Sequence, residues 1–544
     1  MRAEIVGDEV KLFDCYRIKE SVKEIAGRCY DADEKCWRVP KTESNLALLK
    51  ILGFEITGET VTKATGREQS FDDKPCQHMP IRAAPYKHQI SAFNFALGVL
   101  ADKSKGVAYL MDMGTGKTIT VIGLAGALFQ SGKIKRMLVV APLSIVSVWE
   151  QEFGKFADYE YSLAVLDGGT VKNRDKLRFM RGDGLQIAVV NYESAWRMEA
   201  DLVRWKSDFI VCDESTKIKN PQARCSKAMH RLGKESKFNA ILTGTPIVNN
   251  PSDFFSQYKF LNEKIFGASY YSFRAKYMIL GGFQQKEIVG YKNLAELVEK
   301  AHAVAYRVKL ADAVDLPETI DEVRVLALEP KAQSIYKSIE KESYAELMNG
   351  EISTRNVLTK LLRLSQVTGG FIRSDEGETV QAVSTAKLTA LEDIIDTCMD
   401  EGRKIVVFAR FLPEIAAIER LLKKKGIEYS LICGEVKDRA EEVRKFQQDD
   451  NVRVFVGQLA TVSMGLTLTA AHIAVFYSLD FNYSNYEQSK ARIHRIGQKE
   501  KCLYIHLVAK NTVDETIMSA LKHKKDVATL IVDDYKKILG GGSG

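Results

Sequence analysis

Three short stretches of this 544-residue chain carry side chains suited to cleaving a phosphoanhydride. The first is Met111-Asp112-Met113-Gly114-Thr115-Gly116-Lys117-Thr118, set between the apolar runs 107–110 and 119–128. That order reads as strand, loop, helix. Gly114 and Gly116, with Thr115 between them, would let backbone N–H groups curl around phosphate oxygens at a helix N-terminus. Lys117 would reach the β- and γ-phosphates and the Thr118 hydroxyl would ligate Mg²⁺. Met111 stands where the general motif has its first glycine, so taken alone the stretch also fits a plain glycine-rich turn. The second stretch removes that ambiguity. An apolar strand, 209–212, ends in Asp213-Glu214, placing one carboxylate to hold Mg²⁺ and one to orient and deprotonate a water. The third holds Arg492 and Arg495, three apart and on one face if their segment is helical, as two guanidiniums for a γ-phosphate. Gln89, at the start of a helix, has an amide able to bond both ways with an adenine edge. ATP and Mg²⁺ are the expected cofactors.

The elements that must position these groups follow from apolar patterning. Strands at 137–141, 186–190, 209–212 and 240–242 alternate with helical segments, which predicts a parallel sheet covered on both faces. Ligands then gather at the carboxyl ends of the strands, where the motifs lie. A second series at 404–409, 429–433, 452–456, 473–477 and 502–508 predicts another sheet of the same type without its own phosphate loop. Residues 1–57 read as a small α+β domain, with strands at 10–13, 37–39 and 54–57 and a helix bearing Leu46, Leu49 and Leu52. Residues 58–80 are polar and read as a linker. The aromatic run 251–310 reads as a helical protrusion whose rings either stack bases or, the preferred reading, form helix core. Residues 330–400 read as helices with a polar break at 373–384. Lys423 to Lys425 before Gly426 suit the C-terminal dipole of a helix. The Gly/Ser-rich end within 531–544 resembles a cloning remnant.

Composition bounds the rest. The chain is too long for one core. A net charge of +7 permits nucleic-acid binding without demanding it. Nine scattered cysteines with no Cys-x-x-Cys pair argue for a reducing compartment and against a zinc or disulfide framework. No apolar run is long enough to span a membrane.

Further motifs carry a family resemblance. Residues 141–149 (APLSIVSVW), Lys217-Ile218-Lys219-Asn220, 242–250 (LTGTPIVNN), 464–471 (MGLTLTAA) and 488–498 (QSKARIHRIGQ) resemble motifs of the Swi/Snf-type ATPases of helicase superfamily 2. The likeness covers about residues 81–530. It implies two tandem RecA-like lobes, 81–310 and 317–530, with ATP held between them. It further implies a nucleotide role for Gly465 and Gln488, nucleic-acid contacts through Ser144, Lys219 and Asn220, and coupling through Thr243 and Thr245. Read without the motif, Ser144 and Lys219 are a solvated loop serine and lysine. Val462-Ser463, Tyr483 and Ser489 depart from the family pattern and put details of the strand grip in doubt. Residues 30–40 resemble the HARP module of annealing helicases, with a docking domain of no fixed partner as the equal alternative.

The resemblance implies a motor that tracks double-stranded DNA, forked or branched DNA included. Rival readings are a strand-separating or annealing helicase, a nucleosome remodeller, and a switch that binds ATP and DNA without turnover. A monomer with no structural metal and no membrane association is expected, its N-terminal partner unassigned. The compact chain favours the cytoplasm of a bacterial or phage-infected cell, at the nucleoid, or the nucleus if eukaryotic.

Overall fold

Short runs rich in valine, isoleucine and alanine, each bounded by glycine or polar residues, form strands buried on both faces, as a parallel sheet requires. The computed structural model describes residues 1–528 apart from 8, 16–18, 24, 26, 32–33, 43–44, 47, 50–51, 53, 58–70, 103, 248–250, 282–286, 314–315, 349–353, 374–379, 435, 437 and 463–465. Gly465, Ser463, Asn249, Asn250, residues 58–70 of the stretch read as linker and the tail 531–544 lie outside the described residues. The chain is α/β and divides into two units, Met1–Val314 with the chain from His523 onward, and Asp315–Lys522.

In the first unit, β1 (Arg2–Val6), β2 (Glu9–Phe13), β3 (Cys29–Asp31), β4 (Cys36–Pro40) and β5 (Glu55–Thr57) form a five-stranded sheet in the order β3-β4-β2-β1-β5. Val10, Leu12, Val39 and Leu49 bury its own small core, while Leu48 packs against the core of the larger sheet. Residues 71–80, read as linker, lie along the helix Lys87–Asp102. Asp72 N–H donates to Ser91 Oγ at 2.6 Å, and Met79 is buried.

The larger sheet holds β6 (Gly106–Met111), β7 (Arg136–Ala141), β8 (Tyr161–Leu166), β9 (Leu185–Asn191), β10 (Phe209–Asp213) and β11 (Phe238–Leu242). A two-stranded hairpin, β12 (Met278–Gly281) with β13 (Glu287–Tyr291), stands apart, and β14 (Ala305–Val308) returns to the sheet edge. The order is β14-β6-β11-β10-β7-β9-β8, all parallel. The β7–β10–β11–β6 centre brings the carboxyl ends of the phosphate-loop strand β6 and the acid-bearing strand β10 to one end of the sheet. Of the aromatic run, Phe254, Phe255, Tyr258, Phe260, Phe266 and Phe273 are core, whereas Tyr271 is exposed.

The second unit is a six-stranded parallel sheet of β15 (Thr319–Leu326), β18 (Ile405–Ala409), β19 (Tyr429–Ile432), β20 (Val454–Gln458), β21 (Ile473–Phe476) and β22 (Cys502–Ala509), ordered β15-β22-β21-β18-β20-β19. Between β15 and β18 the helices Pro330–Met348, Thr354–Thr368 and Ala386–Asp400 flank a small hairpin, β16 (Phe371–Arg373) with β17 (Val380–Ala382). The helix Leu412–Lys425 ends on Gly426 at φ 66°, with three lysines in its last turn.

Candidate active site

The phosphate loop joins β6 to the helix Lys117–Gln130. Gly114 and Gly116 both sit at φ 81°, a left-handed conformation in which a side chain is strained. The cradle is tight: a Cβ on Gly116 would stand 2.2 Å from Gln89 Nε2. Lys117 Nζ donates to the carbonyls of Met111 at 2.9 Å and Asp112 at 3.1 Å, which folds the ammonium back over the loop. Burial holds its pKa below the ordinary lysine value, against the pull of Glu214, Asp213 and Asp112. Thr115 is fully buried, its hydroxyl donating to Asp112 O at 2.7 Å. Thr118 occupies the first turn of the helix, half-buried.

Asp213 and Glu214 end β10. Asp213 is buried, and desolvation raises its pKa against Lys117, the Trp149 indole and the Glu214 N–H. Its Oδ1 accepts the Glu214 N–H at 2.9 Å and its Oδ2 accepts Trp149 Nε1–H at 3.0 Å. Glu214 has φ 48°, uncommon for a residue with a side chain. The loop N–H groups, one ammonium, one hydroxyl and one buried carboxylate form a donor set suited to a triphosphate with a hard, oxygen-seeking cation. Among the described residues no cluster of three or more His, Cys, Asp or Glu forms a metal cage.

Gln89 bonds the protein through both ends of its amide. Its Oε1 accepts Tyr86 N–H at 3.0 Å and its Nε2 donates to Thr115 O at 3.2 Å, so the amide braces the phosphate loop. His88, unmarked in the sequence, places Nε2 2.7 Å from the same carbonyl while its ring stacks on Tyr86. Arg307 and Gln257 were likewise not legible as site residues. Ser215 Oγ donates to Gln257 Oε1 at 2.7 Å and Gln257 Nε2 donates to Pro246 O at 2.8 Å, linking the acid pair to the Thr243–Pro246 turn. Thr243 is buried, its Oγ1 accepting Thr245 N–H at 3.1 Å. A Cβ on Gly244 would lie 3.3 Å from Met111 O, so the turn rests on the phosphate loop.

Of the residues expected to face nucleic acid, Ser144 lies in the 3-10 turn Leu143–Ile145, whose Leu143 is 73% exposed. Burial lowers the Lys219 pKa while Asp253 opposes it. Asn220 Oδ1 accepts Gln222 N–H at 2.9 Å and so shapes its own turn.

In the second unit the helix Tyr483–Lys490 stops before the arginines, so Arg492 and Arg495 do not share a helical face. The cause is local. Arg492 O accepts Leu468 N–H at 2.9 Å and Ile493 O accepts Gln498 Nε2–H at 3.0 Å, so these carbonyls serve the neighbouring loop and not the next helical turn. The two guanidiniums still converge: Arg492 NH1 lies 3.0 Å and Arg495 NH1 3.2 Å from Leu466 O. Arg492 is buried and bonds Gln488 O through Nε at 2.8 Å; Arg495 is half-buried and reaches Thr467 Oγ1 at 2.8 Å. Gln488 is buried, its amide donating to Ser484 Oγ at 3.2 Å.

Residues 88–369, more than half the chain, match the SNF2-related domain, and 386–497 match the helicase conserved C-terminal domain. The chain is 25% identical over 483 residues to a zebrafish (Danio rerio) DNA repair and recombination protein RAD54-like, covering 80% of this chain and 65% of that one. It is 28% identical over 355 residues to a Drosophila melanogaster SWI/SNF-related matrix-associated actin-dependent regulator of chromatin subfamily A-like protein 1, covering 64% of this chain and 44% of the fly protein. A solved structure, the Sulfolobus solfataricus SWI2/SNF2 ATPase core in complex with dsDNA, is 25% identical, with 86% of this chain and 97% of that one covered at a TM-score of 0.41. The chain thus spans less than two thirds of the length of these two relatives. No described helix is long and apolar enough to cross a membrane. With both domain matches in sequence order, the chain belongs to the SNF2-related family of helicase superfamily 2.

Proposed function

We propose that the protein is an ATP-driven motor that moves along double-stranded DNA. The observation that carries this reading is Lys117 and the Asp213-Glu214 pair at the same end of one parallel sheet, in a chain of the SNF2-related family. The loop N–H groups and Lys117 hold the β- and γ-phosphates. Thr118 and Asp213 would hold Mg²⁺, which would supply charge neutralisation at the phosphate oxygens. Glu214 orients the attacking water and takes its proton. Arg495, with Arg492 fixing the loop it leans on, supplies positive charge to the transition state. Ser144, Lys219 and Asn220 contact the phosphate backbone, and Thr243 and Thr245 pass the state of the nucleotide to that contact. The name of the zebrafish relative, a DNA repair and recombination protein, supports DNA as the track.

Steady-state ATPase rates with no nucleic acid, duplex DNA, single-stranded DNA and duplex RNA test the reading. Stimulation by duplex DNA, followed by displacement of a triplex strand, is the expected result. Stimulation by single strands or forks alone would replace it with the strand-remodelling reading, in which the N-terminal sheet, with Tyr30 edge-on to Trp37 at 5.2 Å, selects the substrate. A high rate that needs no nucleic acid would end the motor proposal.

A further inference from the structure

The helix Val146–Phe156 follows the exposed turn Leu143–Ile145 directly, and Leu143 and Val148 of this segment face solvent. One helical turn on, Trp149 is only 2% exposed, packed against Phe153 at 6.0 Å between ring centroids. An indole offers one donor and no acceptor, so a buried tryptophan needs a single well-placed partner. The partner here is neither a backbone carbonyl nor solvent. It is Oδ2 of Asp213, at 3.0 Å, while Oδ1 takes the Glu214 N–H. The carboxylate is therefore oriented from two sides, and one of them is a side chain of the segment that presents Leu143 and Val148. The same helix packs against Lys117–Gln130, the helix that carries the phosphate loop.

We infer that Trp149 is a positioning residue that couples nucleic-acid contact along residues 143–148 to the orientation of the Asp213 carboxylate. The inference rests on the reading of the chain as a nucleic-acid-stimulated ATPase. A strand seated on the turn shifts the short helix, the indole moves with it, and the Asp213 oxygen that it holds is re-aimed. About 1.5 Å of rise per residue separates the turn from Trp149, so the lever is one turn long. The bond is charge-assisted, and only the N–H makes it; the ring packing is shared with phenylalanine.

The test uses the full chain and Trp149→Phe, which keeps the ring and deletes the donor. With duplex DNA the variant should lose about tenfold or more in kcat, with KM for ATP within about twofold. Its stimulation by duplex should contract towards none, and half-saturation by Mg²⁺ should need several-fold more metal. A second readout is independent of activity. Of four tryptophans, Trp37, Trp149, Trp196 and Trp205, the indole N–H resonance missing in the variant should move when Mg²⁺ and ADP are added, and again with duplex. If Trp149→Phe does not fold, Asp213→Asn identifies the resonance, and its response in the wild-type chain decides. Unchanged kcat, metal requirement and stimulation in the variant, or a resonance indifferent to both additions, overturns the coupling. Wild-type ATPase unmoved by any nucleic acid would instead overturn the motor reading itself, leaving the resonance to report the bond alone.

Discussion

Arg307 holds Asp112. The guanidinium lies 2.7 Å from Asp112 Oδ1, and the other carboxylate oxygen accepts Leu310 N–H at 2.9 Å. Arg307 also donates to Leu110 O at 2.9 Å. The first polar residue of the phosphate loop is thus pinned to β14 and to the chain that leaves it. Both side chains are at least two-thirds buried, so solvent screens the pair only in part.

Replacing Asp112 by Ala should therefore cost about 1–2 kcal/mol of stability and loosen the loop. The expected outcome is a thermal midpoint lowered by a few degrees together with a several-fold rise in KM for ATP. A variant with wild-type KM would mean that the loop keeps its shape without this anchor.

Glu214→Gln keeps the size of the side chain and removes the base. Turnover should fall by about 10²–10⁴-fold while nucleotide still binds, read by fluorescent-nucleotide titration beside phosphate release. Activity retained at the wild-type level would remove Glu214 from the chemistry.

Arg495→Ala should leave nucleotide affinity within a few-fold and lower turnover by about 10³-fold or more. Arg492→Ala should also reduce the stability of the second unit, because Arg492 is buried and its guanidinium bonds Gln488 O and Leu466 O. Equal effects of both variants on unfolding and on turnover would contradict this division of labour.

Glu414 gives the second unit a pH dependence. It is buried, its Oε2 accepting Arg410 and Phe411 N–H groups at 3.0 Å each and Ser478 Oγ–H at 2.6 Å, and burial pushes its pKa up to about 7. Those bonds and the Lys387 charge oppose the rise without cancelling it. The folded chain keeps this proton where the unfolded chain has released it. Stability should therefore fall as the pH rises from the ordinary glutamate range to about 7, by about 3 kcal/mol in all. Urea unfolding across that range should show the drop in the wild type and lack it in Glu414→Gln.

The parallel strands and the phosphate loop were legible because burial on both faces writes itself as continuous apolar runs. β8 was not, since Tyr161, Ser162, Leu163, Ala164 and Val165 are only half-buried at the sheet edge and alternate weakly. β14 falls inside 251–310, which reads as a helical protrusion; its pairing with β6 is a tertiary fact. The acid pair and Lys117 announce their chemistry by type and spacing. Their supports do not: His88, Trp149, Gln257 and Arg307 act through single bonds to residues distant in sequence, for which periodicity holds no trace. Trp149 left a hint, an indole on the apolar face of an amphipathic helix whose N–H had to go somewhere.

The contact between Gly244 and the phosphate loop has a mechanical consequence. A Cβ built on Gly244 would stand 3.3 Å from Met111 O and 3.5 Å from Asp112 Cα and Met113 N, so turn and loop are separated by little more than the width of one methyl group. A movement of the turn towards the loop by more than that width meets main chain, and a shorter one is taken up by the space the missing side chain leaves. Backlash of this machine at that joint is set by two bare stretches of main chain, and an alanine at position 244 would preload it.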